Sequence, residues 1–150
     1  MRWTTGEAEI ERLLDQGNIE RVQGARADGE SWLERARRSL DAARMLTQAA
    51  PDSSITVTYD AARQACVALL AQQGLRPTTS GGHHAIDEAI RAQFGARLRA
   101  FGGLRRRRNE LEYPLYPTEK ASAEEAAEAI KTAGHIIDAV AGLLPNLGFF

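Results

Sequence analysis

The chain has 150 residues, enough for one domain with a real core, since a chain of this length buries about 70% of its unfolded surface. Hydrophobic residues make up 43% and charged residues 26%, which is ordinary globular usage and excludes disorder across the chain. A net charge of −1 excludes a strongly basic nucleic-acid binder, and the single cysteine, Cys66, excludes an internal disulfide framework and a cysteine-based zinc site. No apolar run approaches the ~18 residues of a membrane span, and Met1 to Ile10 lacks a signal-type stretch, so a cytoplasmic protein is expected.

Strand signals are nearly absent, and five segments read as helices. The first runs from about Thr5 to Asp15, with Ile10, Leu13 and Leu14 on one side. Gln16 to Gly29 is polar and glycine-containing and reads as a linker. The second helix spans about Glu30 to Ala49 on Trp32, Leu33, Ala36, Leu40 and Ala43, and Pro51 ends it. The third spans about Ser54 to Gln73 on Ile55, Tyr59, Ala62, Cys66, Leu69 and Leu70, and Gly74 and Pro77 stop it. The fourth and longest runs from about His84 to Glu112, with Gly102-Gly103 as the place for a bend and Pro114 as its limit. The fifth begins at Glu119 or Ala123 and reaches Leu144, with Ser122 and Glu125 matching a capping box. Long amphipathic helices joined by short loops predict an all-α bundle over 28–150, preceded by a short helix and linker over 1–27.

The fourth helix carries the chemistry. Arg91, Arg97, Arg99, Arg105, Arg106, Arg107 and Arg108 follow one another with no acidic residue between them. A charge run is commonly a solvated face, but Arg108 is placed differently. The apolar stripe steps through Ile90, Phe94, Leu98, Phe101, Leu104 and Leu111, and Arg108 and Glu112 fall on it at ~100° per residue. Burying an unpaired charge costs several kcal/mol. Arg108 therefore either pairs with Glu112 where the helix ends or serves a functional role on a partly buried scaffold. Asn109 and Tyr113 lie beside it, and Pro114 follows. An arginine, an amide and a phenol suit contact with a phosphodiester better than metal or acyl chemistry.

The segment Leu104-Arg105-Arg106-Arg107-Arg108-Asn109-Glu110-Leu111-Glu112-Tyr113-Pro114 resembles the signature region of HEPN domains, small all-helical bundles of prokaryotic toxin–antitoxin and defence systems. Their motif is an arginine, often followed by Asn or Asp, with a histidine in the sixth position. Arg108 and Asn109 match its start, and Tyr113 stands in the histidine slot, as in a small actinobacterial-type subgroup with an RN..EYP pattern. Tyr59-Asp60-Ala61-Ala62-Arg63, the stretch Gln73 to Pro77 followed by Gly82-His83, and the lead-in from Ile10 to Val22 also resemble that subgroup.

The resemblance implies a HEPN-type four- or five-helix up-and-down bundle that forms homodimers, with two motifs meeting in one cleft. It implies a toxin-like or defence-associated protein acting on RNA as a metal-independent endoribonuclease, without a cofactor. Arg108 would hold the phosphate, Asn109 would position, and Tyr113 would take the histidine's place, with Arg105, Arg106 and Arg107 as further RNA contacts. A nucleotidyltransferase antitoxin is an implied partner, with Tyr116 as a modification target. The tyrosine in the histidine slot favours an acid or stacking role over a base, because its ordinary pKa is near 10. The alternative reading is therefore a non-catalytic helical module that binds a protein partner, or binds RNA without cutting it. A third is a dimeric bundle in which Arg108 and Glu112 form a purely structural pair.

The remaining candidates are weaker. The adjacent His83 and His84 point ~100° apart on a helix, which is poor geometry for a shared metal. A first-turn or dimer-contact role is expected for them, with supply of an acid–base group as the alternative. Cys66 is expected in the core and His135 on the surface.

Overall fold

A computed structural model describes all 150 residues. Six α-helices follow in order: α1 (Glu7–Asp15), α2 (Gly29–Leu46), α3 (Pro51–Gln72), α4 (Gly82–Phe94), α5 (Ala100–Glu112) and α6 (Ala123–Leu143). The bundle is all-α, as the periodicity predicts. No helix is long and apolar enough to cross a membrane.

Helix α3 is the central element. Alanines 61, 62, 65, 68 and 71 keep its girth small, and α2, α5 and α6 close around it. Cys66 is fully buried there, and burial pushes its thiol pKa up. The main core joins Leu33 and Leu40 of α2, Leu69 of α3, Ile86 and Ile90 of α4, Phe101 of α5 and Ile137 and Val140 of α6. Ser122 caps α6, accepting from the Glu125 amide at 3.0 Å. Ser122→Ala is expected to cost about 1 kcal/mol in a urea titration, because one orphan donor of the first turn loses its acceptor.

Two expectations need correction. The stretch Gln16 to Gly29 is not a plain linker. It holds a strand, β1 (Ile19–Arg21), that pairs antiparallel with β2 (Leu75–Pro77), and a short 3₁₀ turn at Gly24–Arg26. Three-residue strands are too short to show a period of two, and their pairing partners lie far apart in sequence. The small ladder and α1 pack on the α4 side through Ile10, Leu13, Ile19, Leu70, Leu75, Ala85 and Ala89.

The second correction concerns the long fourth helix. It is two helices, and the break is at Gly95 rather than at Gly102-Gly103. Gly95 adopts φ 46°, which the interior of a right-handed α-helix does not accommodate, and a 3₁₀ turn over Gly95–Leu98 redirects the chain into α5. Gly102 and Gly103 stay helical inside α5. The apolar stripe survives the break, because Phe94, Leu98, Phe101 and Leu104 all remain buried.

Candidate functional site

Helices α3, α4 and α5 bring one polar cluster together. Tyr59 and Arg63 are four residues apart on α3 and so share a face. Arg105, Arg108 and Glu112 share a face of α5 by the same spacing. His83 sits in the first turn of α4, brought over Tyr59 by the loop that leaves β2.

Tyr59 is the hub. Its ring is buried and stacked on Phe101, with centroids 5.6 Å apart and planes 11° off parallel. The guanidinium carbon of Arg108 lies 5.7 Å from the same ring, within cation–π range. The Tyr59 hydroxyl is 3.2 Å from His83 Nδ1. Burial pushes the phenol up to about 12, against the pull of Arg105, Arg63 and Arg108, so it stays protonated at neutral pH. His83 is displaced the other way. Burial comes first, then the charges of Arg63 and Arg108, with Arg105 adding to them and Asp60 opposing, and together they hold the imidazole below its usual pKa.

Arg108 pairs with Glu112, Nη1 to Oε2, at 2.5 Å and donates to Asn109 Oδ1 at 3.3 Å. The pair lies where the bundle meets solvent, for the Arg108 side chain is 20% exposed and that of Glu112 41%. Its Nε is shielded from water and has no partner. Arg63 is similar: its Nε is also shielded and unmet, and the nearest carboxylate oxygen, on Asp60, is 3.7 Å away. An unmet buried donor costs about 1–3 kcal/mol, and two of them beside each other mark a place short of acceptors. Arg105 leans on the buried Asp87 at 3.5 Å, while Arg91 takes the same carboxylate oxygen at 2.7 Å. Three guanidinium groups thus crowd one phenol and one imidazole, with Asp60 and Glu112 only partly offsetting them. Such an arrangement favours an incoming anion with several oxygens.

The other expected site residues are spread out. Arg106 is exposed and borders a cleft of about 360 Å³ between α4 and α5, floored by Ile90, Leu98 and Phe101. Arg107 is held by Glu110 at 3.0 Å, by Glu119 at 3.2 Å and by Glu125, and so straps α5 to the start of α6. Asn109 is exposed beside Arg108. Tyr113 ends α5 and is 76% exposed, and Leu115 and Tyr116 follow it as further exposed hydrophobic residues. His84 points away from Tyr59 and pairs with Glu88 at 2.5 Å. No three His, Cys, Asp or Glu side chains gather in a way that could hold a metal ion.

Sequence reasoning did not weigh Arg63. A signal was present, namely a charge four residues after a tyrosine on a helix of alanines and apolar side chains.

Comparison with known protein families gives a match to the HEPN domain over residues 30–143, from the first turn of α2 to the end of α6. Comparison with curated proteins and with solved structures gives no match.

Proposed function

Because the chain belongs to the HEPN family, we propose that it is a toxin-like or defence-associated protein that binds and cleaves RNA without a metal ion, through an arginine-centred site. The observation that carries this reading is the convergence of Arg63, Arg105 and Arg108 around Tyr59 and His83, with the Nε donors of Arg63 and Arg108 unmet. Glu112 and Asn109 occupy Nη1 of Arg108, while Nη2 makes no hydrogen bond in the chain and is the group left for an oxyanion. Arg105 and Arg106 extend the positive surface along α5. Tyr113 offers an exposed ring for stacking on a base, a contact indifferent to which base it meets. Arg107 is a strap that fixes the 113–120 segment and not an RNA contact.

The exposed run Tyr113, Leu115 and Tyr116 favours a second reading alongside this one. HEPN domains often dimerise, and this run would meet a second copy or a nucleotidyltransferase antitoxin. Tyr116, 66% exposed, is the side chain open to modification there.

The test is binding and cleavage of a single-stranded oligoribonucleotide in EDTA over a range of salt. Wild type cuts, and the logarithm of its affinity falls linearly with the logarithm of salt. Arg105→Ala lowers that slope by about 0.7, one phosphate contact's worth on a single strand. A wild type that neither binds nor cuts RNA sinks the reading.

A further inference from the structure

Cleavage at a site made of arginines lacks one component. Arginine stays charged at all working pH values and stabilises charge without moving a proton. A proton carrier with a pKa near neutrality is needed beside it. Tyr113 does not meet that need, since it stands exposed at the end of α5 with no partner to orient it. The chain has three histidines. His135 is exposed on α6, and His84 is bound to Glu88, which also holds Arg12. Only His83 faces the arginines.

Resting on the RNA-cleavage reading above, we propose that His83 is the acid–base group of this site, with Tyr59 as its positioning residue. His83 Nδ1 is 3.2 Å from the Tyr59 hydroxyl, and the two rings lie 5.7 Å apart. The other face of the arrangement is Arg108, over the same tyrosine ring. Imidazole and guanidinium are thus held by one buried phenol ring from two helices that meet only in the folded chain. The second ring nitrogen, Nε2, makes no hydrogen bond in the chain, and the His83 side chain reaches solvent. In the tautomer whose Nδ1–H donates to the phenol oxygen, the one this role requires, Nε2 carries the lone pair. A ring nitrogen fixed by a partner while the other does the chemistry is how a histidine base is oriented.

Burial and the charged groups around His83 together set its working form. Asp60 and Arg63 face it from α3, and Arg105 and Arg108 from α5. On its own helix, Asp87 is committed to Arg91 and Arg105, and Glu88 to His84 and Arg12. Burial and then the positive groups disfavour the charged imidazole, so it is neutral at pH 7 and free to accept a proton.

The step is as follows. His83 Nε2 takes the proton of a ribose 2′-hydroxyl. O2′ bonds to the adjacent phosphorus as the P–O5′ bond breaks. The departing O5′ takes a proton from water, and His83 returns its own to solvent. The products are a 2′,3′-cyclic phosphate and a 5′-hydroxyl end. Arg108 and Arg63 face the oxygens on which charge builds up.

Full-length His83→Gln and His84→Gln test this as a pair, since the two residues are neighbours in one helical turn with different surroundings. With an oligoribonucleotide in EDTA, His83→Gln is expected to lower kcat/KM by about 10²-fold or more. It should bind a 2′-O-methyl oligonucleotide, which cannot be cut, within a few fold of wild type. In wild type, kcat/KM rises with pH through a pKa below the usual 6.5 of histidine, because the charged imidazole is disfavoured before RNA binds. That limb disappears in His83→Gln and stays in His84→Gln, whose rate equals wild type. Tyr59→Phe lowers kcat with KM unchanged and moves the same limb. Cleavage by His83→Gln at the wild-type rate, or with the wild-type pH limb, overturns the assignment. A wild type that binds RNA without cutting it overturns the role of His83 and leaves the RNA-binding reading standing, whereas a wild type that does not bind RNA sinks both.

Discussion

Arg108→Ala is expected to lower RNA cleavage by about 10²–10³-fold in a protein that stays folded, the usual loss when one donor to transition-state charge is removed. Its stability cost is small because of where the side chain sits. A fully buried ion pair loses about 3–5 kcal/mol when one partner is removed, since the other charge is stranded. Glu112 is 41% exposed and regains water at once, so the cost here is roughly 1 kcal/mol. The lost contact with the Tyr59 ring falls within the same range. Circular dichroism and a urea titration read the fold, and cleavage in EDTA reads the site. Arg108→Lys keeps the charge but not the planar fork and should recover only part of the rate. An Arg108→Ala protein that cuts normally would reduce the Arg108–Glu112 pair to a structural contact. Outright unfolding would mean that the pair holds α5 in place.

Gly81→Ala is expected to be the most damaging single methyl in the chain. A Cβ at this position would lie 1.9 Å from the Asn18 carbonyl oxygen and 2.9 Å from the Ala85 side chain. The Asn18 oxygen cannot yield easily, because it accepts from the Thr78 amide at 3.0 Å next to the β1–β2 ladder. Either the start of α4 or the 16–18 turn must move. A loss of about 3 kcal/mol follows, at the upper end for overpacking. That corresponds to a fall in Tm of about 6–12 °C for a chain of this size. Moving the start of α4 also displaces His83, so cleavage should fall in Gly81→Ala even at temperatures where the protein is folded. Gly82→Ala is the comparison. Gly82 has φ 52° but open space around it, and its cost is the left-handed backbone alone, about 1 kcal/mol. Equal melting temperatures for the two variants would show that the Asn18 contact does not constrain the helix.

The cleft between α4 and α5 and the site at Tyr59 are two sides of one wall. Asp87 lines the cleft and holds Arg105, which faces the site, while Arg106 borders the cleft from the next position on α5. The break at Gly95 makes both possible. A continuous helix from 84 to 112 would carry the arginines straight past α3, whereas the 3₁₀ turn folds α5 back so that its Phe101 stacks on Tyr59.

What the sequence determined by itself is what depends on neighbours three and four residues away. The stripes of α2, α3 and α6, the Ser122 cap, the burial of Cys66 and the placement of Arg108 on the apolar face of α5 are all of that kind. So is the family, since the spacing from Arg108 to Tyr113 lies within one helix and its end. Tertiary structure decided the rest. The β1–β2 ladder joins strands more than fifty residues apart, and three-residue strands have no pattern of their own. The helix break fell at Gly95 because either glycine site tolerates a bend and only packing selects between them. Tyr59, His83 and Arg108 lie on three helices, and nothing local in any of them points to the others. Their meeting depends on how α4 and α5 close over α3. The same packing leaves Tyr113 in solvent and turns His83 toward the arginines while His84, one residue on and a third of a turn away, faces Glu88.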